Sequence, residues 1–171
     1  MADTTLHAPA RPSIFATALA NPLRTAVTIL TAGAFSTVAF DFFGQALSPA
    51  TGNAQLAPVG LANAVISKVF GAGWRPGAEM LHYAAGMIAY PAGWVLFAEP
   101  LRERVAPMVP WFAAAFLYGV VLWVFALYVM AHLVAGNAPF LGWGNITWVA
   151  LWGHVLFAMV TAIVTRVRQT S

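Results

Sequence analysis

Three imidazoles and two carboxylates stand out in a chain that otherwise avoids charge. Asp41, Glu79, His82, His132 and His154 each lie inside, or at the edge of, a long apolar stretch. Ionisable side chains are costly in hydrocarbon, so those found there mark functional sites by default. His82 and His154 could ligate a b-type haem or, with Asp41 or Glu79, a transition metal. Asp41 could carry a proton or hold a cation, and His82 is its leading polar partner. Met80, Met87 and Met130 lie near the imidazoles in sequence. Thioether with imidazole suits Cu(I), although methionine is also a common filler of irregular apolar cores. The plainer role of each histidine is a hydrogen bond to a hydroxyl or carbonyl of a neighbouring helix, worth about 0.6 kcal/mol. The plainer role of Asp41 is a carboxyl group bonded within the bundle or wetted at its edge.

The composition explains why these residues stand out. Of 171 residues, 61% are hydrophobic and 8% are charged. Soluble domains carry roughly 25% charged residues. Such a chain must turn its apolar excess toward lipid. The length suits one domain. There is no cysteine, which excludes disulfides, thiolate metal sites and cysteine catalysis. The formal charge of +3 comes from only eight Lys and Arg residues. They form no dense run, so nucleic acid is not an expected partner.

Four elements must position the polar residues. A bilayer crossing takes about 20 mostly apolar residues, and such stretches occur at about 25–47, 78–98, 111–134 and 145–167. The first is rich in Thr, Ala and Gly, which let helices approach closely in lipid, so it is expected to be packed rather than lipid-facing. The second holds His82 early and Pro91 near its middle, and Glu99-Pro100 is expected to end it. Residues 1–23 read as a flexible cytoplasmic tail. A signal peptide is not expected, because Asp41 interrupts the first apolar run. Between the first two spans, residues 56–70 carry apolar side chains at Leu61, Val65 and Val69 and at Ile66 and Phe70. That spacing predicts one interfacial amphipathic helix. Trp111, Trp143 and Trp148 fall where interfacial aromatic belts are expected.

Six of the eight basic residues (Arg11, Arg24, Arg102, Arg104, Arg166 and Arg168) fall on one side of this topology, and Lys68 and Arg75 on the other. The positive-inside rule then places both termini in the cytoplasm. It also gathers the five polar residues into one layer in the outer half of the bundle. His82 and His154 differ in depth by roughly 6–9 Å at a rise of about 1.5 Å per residue. The cytoplasmic half is expected to hold almost no ionisable side chain. Glu99, Arg102, Glu103 and Arg104 read as a solvated cap. The chain shows no phosphate-binding glycine loop, HExxH or nucleophile elbow. No span carries several arginines, as a voltage sensor would.

The stretches LHYAAGMIAYPAGWVLFAEPL, WFAAAFLYGVVLWVFALYVMAHLVAG and WGHVLFAMVTAIVTRVR resemble a group of small bacterial inner-membrane proteins of the YagU type. The shared pattern is four spans, a histidine early in the second (His82), and Gly153-His154 in the fourth before a basic tail. The resemblance implies an inner-membrane location and a stress-related role, and supplies no catalytic residue.

The expected fold is therefore an all-α, four-helix transmembrane bundle with one interfacial helix. The leading functional class is a non-catalytic structural, assembly or stress-response component of the bacterial inner membrane, with lipid and a membrane-protein partner or second copy as its contacts. The alternatives are a redox subunit holding haem b or a metal ion through His82 and His154, and a small proton-coupled transporter using Asp41.

Overall fold

A computed structural model describes residues 20–170, so most of the expected tail lies outside the described residues. These are organised as helices, with no strand among them. Three of the helices are long and apolar enough to cross a membrane. They are α1 (Pro22–Ala50), α4 (Trp111–Val134) and α5, which extends over Asn145–Thr170. Between them come α2 (Pro58–Phe70) and a continuous helix, α3, over residues 75–105. The helix α3 carries His82, Tyr83, Tyr90 and Pro91 within its length, which makes it less apolar than the other long helices.

Local chemistry sets the ends. Asn21 accepts a hydrogen bond from the Arg24 amide at 3.0 Å, and Pro22 opens α1. Both are favoured there, since the first amides of a helix lack partners and proline has none to lose. Gly71, at φ 83°, closes α2, a left-handed position that glycine takes without Cβ strain.

Four wide, π-helical segments interrupt the long helices, at Phe43–Leu47, Ala85–Ala89, Trp94–Ala98 and Phe125–Val134. The first three each end two residues before a proline, Pro49, Pro91 and Pro100, whereas Phe125–Val134 has no proline at that offset. A proline ring clashes with the carbonyl four residues back and offers no amide to it. Those carbonyls belong to Gln45, Met87 and Leu96, each at the middle of a wide turn, where the helix opens to make room. The expectation that Glu99-Pro100 ends the second span is thus corrected. The chain absorbs Pro100 and stays helical to Val105.

The helix α5 is the core of the assembly, with 56% of its apolar window buried against 33% for α1 and α4. It packs on α1 and α4 along most of its length. Close approach depends on glycine. A Cβ at Gly119 would collide with the α5 backbone at His154 and Val155, and one at Gly33 would collide with the Met87 carbonyl. The expectation of a fully packed first span needs correcting. One face of α1 is buried, through Thr28, Ile29, Ala32, Gly33, Ser36 and Thr37. The other exposes Leu23, Val27, Leu30, Phe35, Val38 and Phe42. Ser36 on the buried face meets Thr161 of α5, hydroxyl to hydroxyl, at 2.7 Å.

Contacts fix which ends lie together. At one end Arg24 donates to the Arg168 carbonyl at 2.8 Å, and Arg166 of α5 reaches Glu99 of α3 at 3.1 Å. At the other, Asn145 donates to Asn53 at 3.2 Å, and Asp41 of α1 meets His82 of α3. The helix α3 therefore runs beside the others from one end to the other. At the Asn145 end, Phe140, Leu141, Gly142 and Trp143 are all left-handed. Non-glycine residues pay about 1–2 kcal/mol each for that conformation. Phe140 offsets it by stacking with Trp123, Tyr128 and Trp143, at centroid distances of 4.8, 5.5 and 4.5 Å.

Candidate functional site

The helices line a half-open cavity of about 400 Å³ at the Asp41 end. Each of the four long helices contributes to its wall, and α2 closes over it through Leu61, Ala62 and Val65. Its lining is mostly apolar and aromatic, with Phe40, Tyr90, Phe125 and Phe157 prominent. Tyr90 meets both Phe125 and Phe157 edge to face at 89°, an arrangement that ring quadrupoles favour. The amphipathic spacing of α2 is real, but its apolar residues divide. Leu61 and Val65 face the cavity, while Val69 and Phe70 are exposed at the other end of the helix.

Besides the Tyr90 phenol, three polar side chains reach this wall. The first is His82. Its Nε2 lies 3.1 and 3.2 Å from the two carboxylate oxygens of Asp41, and Gln45 donates to Asp41 Oδ1 at 2.8 Å. A carboxylate accepts, so Nε2 of His82 carries the proton. The Asp41 side chain is 23% exposed and that of His82 12%, so the pair sits at the margin of the cavity, within reach of water. The second is His154, buried on α5. Its Nδ1 lies 2.7 Å from the Ala150 carbonyl, and Phe40 abuts its ring edge to face at 5.1 Å. The third is Thr37, whose hydroxyl is buried without a hydrogen-bond partner. Sequence reasoning missed it. Threonine one turn before Asp41 looked like helix packing, and only the three-dimensional wall separates it from Thr28 and Thr31, which bond back to carbonyls four residues earlier.

The structure therefore brings His82 and His154 to one cavity, with Asp41 paired to His82 behind its margin, and leaves the other two expected residues apart. Glu79 pairs with Arg75 at 3.2 Å on the exposed first turn of α3. His132 donates from Nδ1 to the Asn137 carbonyl at 2.7 Å, satisfying a carbonyl beyond the end of α4. No three His, Asp or Glu residues converge on one point among the described residues, and the His82 Nε2 is engaged by Asp41. The copper grouping also separates: Met80 is 67% exposed, while Met130 lines the cavity.

A second polar cluster lies at the opposite end, where the sequence reading expected almost no ionisable residue in the bundle. Glu99 is 1% exposed. Arg102 grips both its oxygens at 2.8 and 2.9 Å, Arg166 adds a third bond at 3.1 Å, and Arg166 also lies over Trp111 at 5.3 Å. The bond to Glu99 raises the Arg102 pKa above its ordinary value. The supposed solvated cap is a buried carboxylate held by two guanidiniums. Its burial depends on Arg166, 67 positions away, and no local pattern signals that.

Comparison with protein-family models, with curated proteins and with solved structures finds no match. The reading of the site rests on its own geometry.

Proposed function

We propose that the chain is a non-catalytic membrane protein that crosses the bilayer four times and binds a lipid-soluble molecule between its helices. The observation that carries the binding role is the cavity of about 400 Å³. Small-molecule sites run from roughly 300 to 1,000 Å³, mostly apolar with a few convergent polar groups. The four-span reading is supported by α3, which meets its neighbours at both ends of the bundle. The positive-inside rule supports cytoplasmic termini.

The binding role is tested with aminoanthracene, an apolar fluorescent probe, on the purified chain in lipid nanodiscs. Saturable, one-to-one fluorescence enhancement is expected, and Ala85→Phe, which fills the wall, should remove it. Enhancement no greater than in empty nanodiscs would defeat the reading.

A second reading, proton-coupled carriage of the bound molecule, is favoured by the Asp41–His82 pair at the cavity margin. It requires flux in proteoliposomes that depends on pH in the parent chain and loses that dependence in Asp41→Asn.

A further inference from the structure

The cavity's polar atoms say more about the occupant than its volume does. A backbone carbonyl can only accept, so the 2.7 Å contact from Nδ1 of His154 to Ala150 places the ring hydrogen on Nδ1. In the neutral imidazole the other nitrogen, Nε2, is then a hydrogen-bond acceptor. No hydrogen bond reaches it among the described residues, and His154 lines the cavity. The Thr37 hydroxyl, 4% exposed as a residue and also without a partner, lies on the same wall. A buried polar group without a partner is rare and asks for a water, an ion or a ligand group, and on this wall the Thr37 hydroxyl is that group.

We infer that the cavity takes a lipid-soluble aromatic alcohol of the phenol type, whose hydroxyl donates to Nε2 of His154. This rests on the binding reading above and names its ligand class. A ketone or an ether has no hydrogen to donate to Nε2. A carboxylate or an ammonium group would pay a heavy desolvation cost against an almost wholly apolar lining. A hydroxyl satisfies the imidazole while staying neutral, and Thr37 is a further polar group on the same wall. Four of the surrounding side chains, Phe40, Tyr90, Phe125 and Phe157, are aromatic. They offer edges and faces to a ring rather than to a flexible chain.

The test compares para-butylphenol with para-butylanisole, which has nearly the same shape but lacks the donor. Each competes with aminoanthracene for the full chain in nanodiscs. The phenol is expected to displace the probe at about five- to tenfold lower concentration, the range one net hydrogen bond supplies. In His154→Phe the two should differ by less than about twofold. Thr37→Val is a second, milder variant, and should narrow the gap without closing it. On ¹⁵N-histidine protein, the His154 Nε2 resonance should shift with the phenol and not with the anisole, which keeps the test decisive if His154→Phe does not fold. Equal displacement by both compounds, with an unmoved resonance, overturns the donor assignment while leaving the cavity as a binding site. Failure of aminoanthracene itself to bind saturably overturns the cavity reading and this inference with it.

Discussion

At the scale of single residues, like side chains do unlike work here, and their partners decide which. Asp41 and Glu79 are both carboxylates near the same end of the molecule. Asp41 bonds His82 on another helix, whereas Glu79 pairs with Arg75 on its own exposed turn. A double-mutant cycle separates them. Asp41→Asn and His82→Ala, alone and together, should show a coupling of about 0.6–1.7 kcal/mol, the range found for bonds between membrane helices, read from denaturant unfolding in micelles. Glu79→Ala should change stability by no more than about 0.5 kcal/mol, since exposed pairs contribute little. Additive effects at Asp41 and His82 would mean that the pair is not made. This pairing was legible in the sequence. Two ionisable residues in consecutive apolar runs, both in the outer half by charge topology, had few other polar partners to choose from. Thr37 and Glu99 were not legible. A threonine in a membrane helix ordinarily bonds its own backbone, and a Glu beside Arg102, Glu103 and Arg104 reads as solvated charge until Arg166 folds over it.

At the scale of elements, the cavity wall follows from proline placement. The wide turn at Ala85–Ala89 presents Ala85, Gly86 and Ala89 to the cavity, and it exists because Pro91 displaces the Met87 carbonyl. Pro91→Ala restores an amide to the ladder and removes the clash, so regular α-helix should return there. The returning helix rotates the residues before it, including His82, relative to Asp41. The variant is expected to remain folded while aminoanthracene binding weakens by about fivefold or more, since 1 kcal/mol is roughly a factor of five. Unchanged affinity would show that the wide turn does not shape the site. Close packing gives a sharper contrast. Gly119→Leu drives a side chain into the α5 backbone and should cost about 1–3 kcal/mol or more. Gly144→Ala meets open space and should be tolerated. The positions of the helices were readable from hydropathy and turn residues. The left-handed run from Phe140 to Trp143 was not, because only Gly142 advertises that conformation, and its other members are held there by stacking on Trp123 and Tyr128.

At the scale of the whole molecule, the two ends are built differently, and that difference bears on how the chain sits in a bilayer. One end holds a cavity beneath α2, and the other is tied shut by Glu99, Arg102 and Arg166. Removing one member of a buried ionic cluster strands its partners, at a cost of about 3–5 kcal/mol when all are buried. Arg166 is 43% exposed, so Glu99→Ala should fall near the lower end of that range. The tie also joins α3 to α5 at the end where Arg24 meets Arg168, while Asn53 meets Asn145 at the other. On the proposed four-span reading, residues 75–105 cross the bilayer. With no native cysteine, single-cysteine variants label without background. Gln55→Cys and Ala138→Cys should react with a membrane-impermeant maleimide from the periplasmic side. Met108→Cys, at a position 93% exposed, should react only after the membrane is permeabilised. A chain that crosses three times, with 75–105 lying along the surface, puts Met108 on the same side as Gln55 and leaves Ala138 opposite. That labelling pattern would remove the four-span reading. Because Asp41 and His82 could then no longer share one end of a transmembrane cavity, it would also remove the binding site built on it.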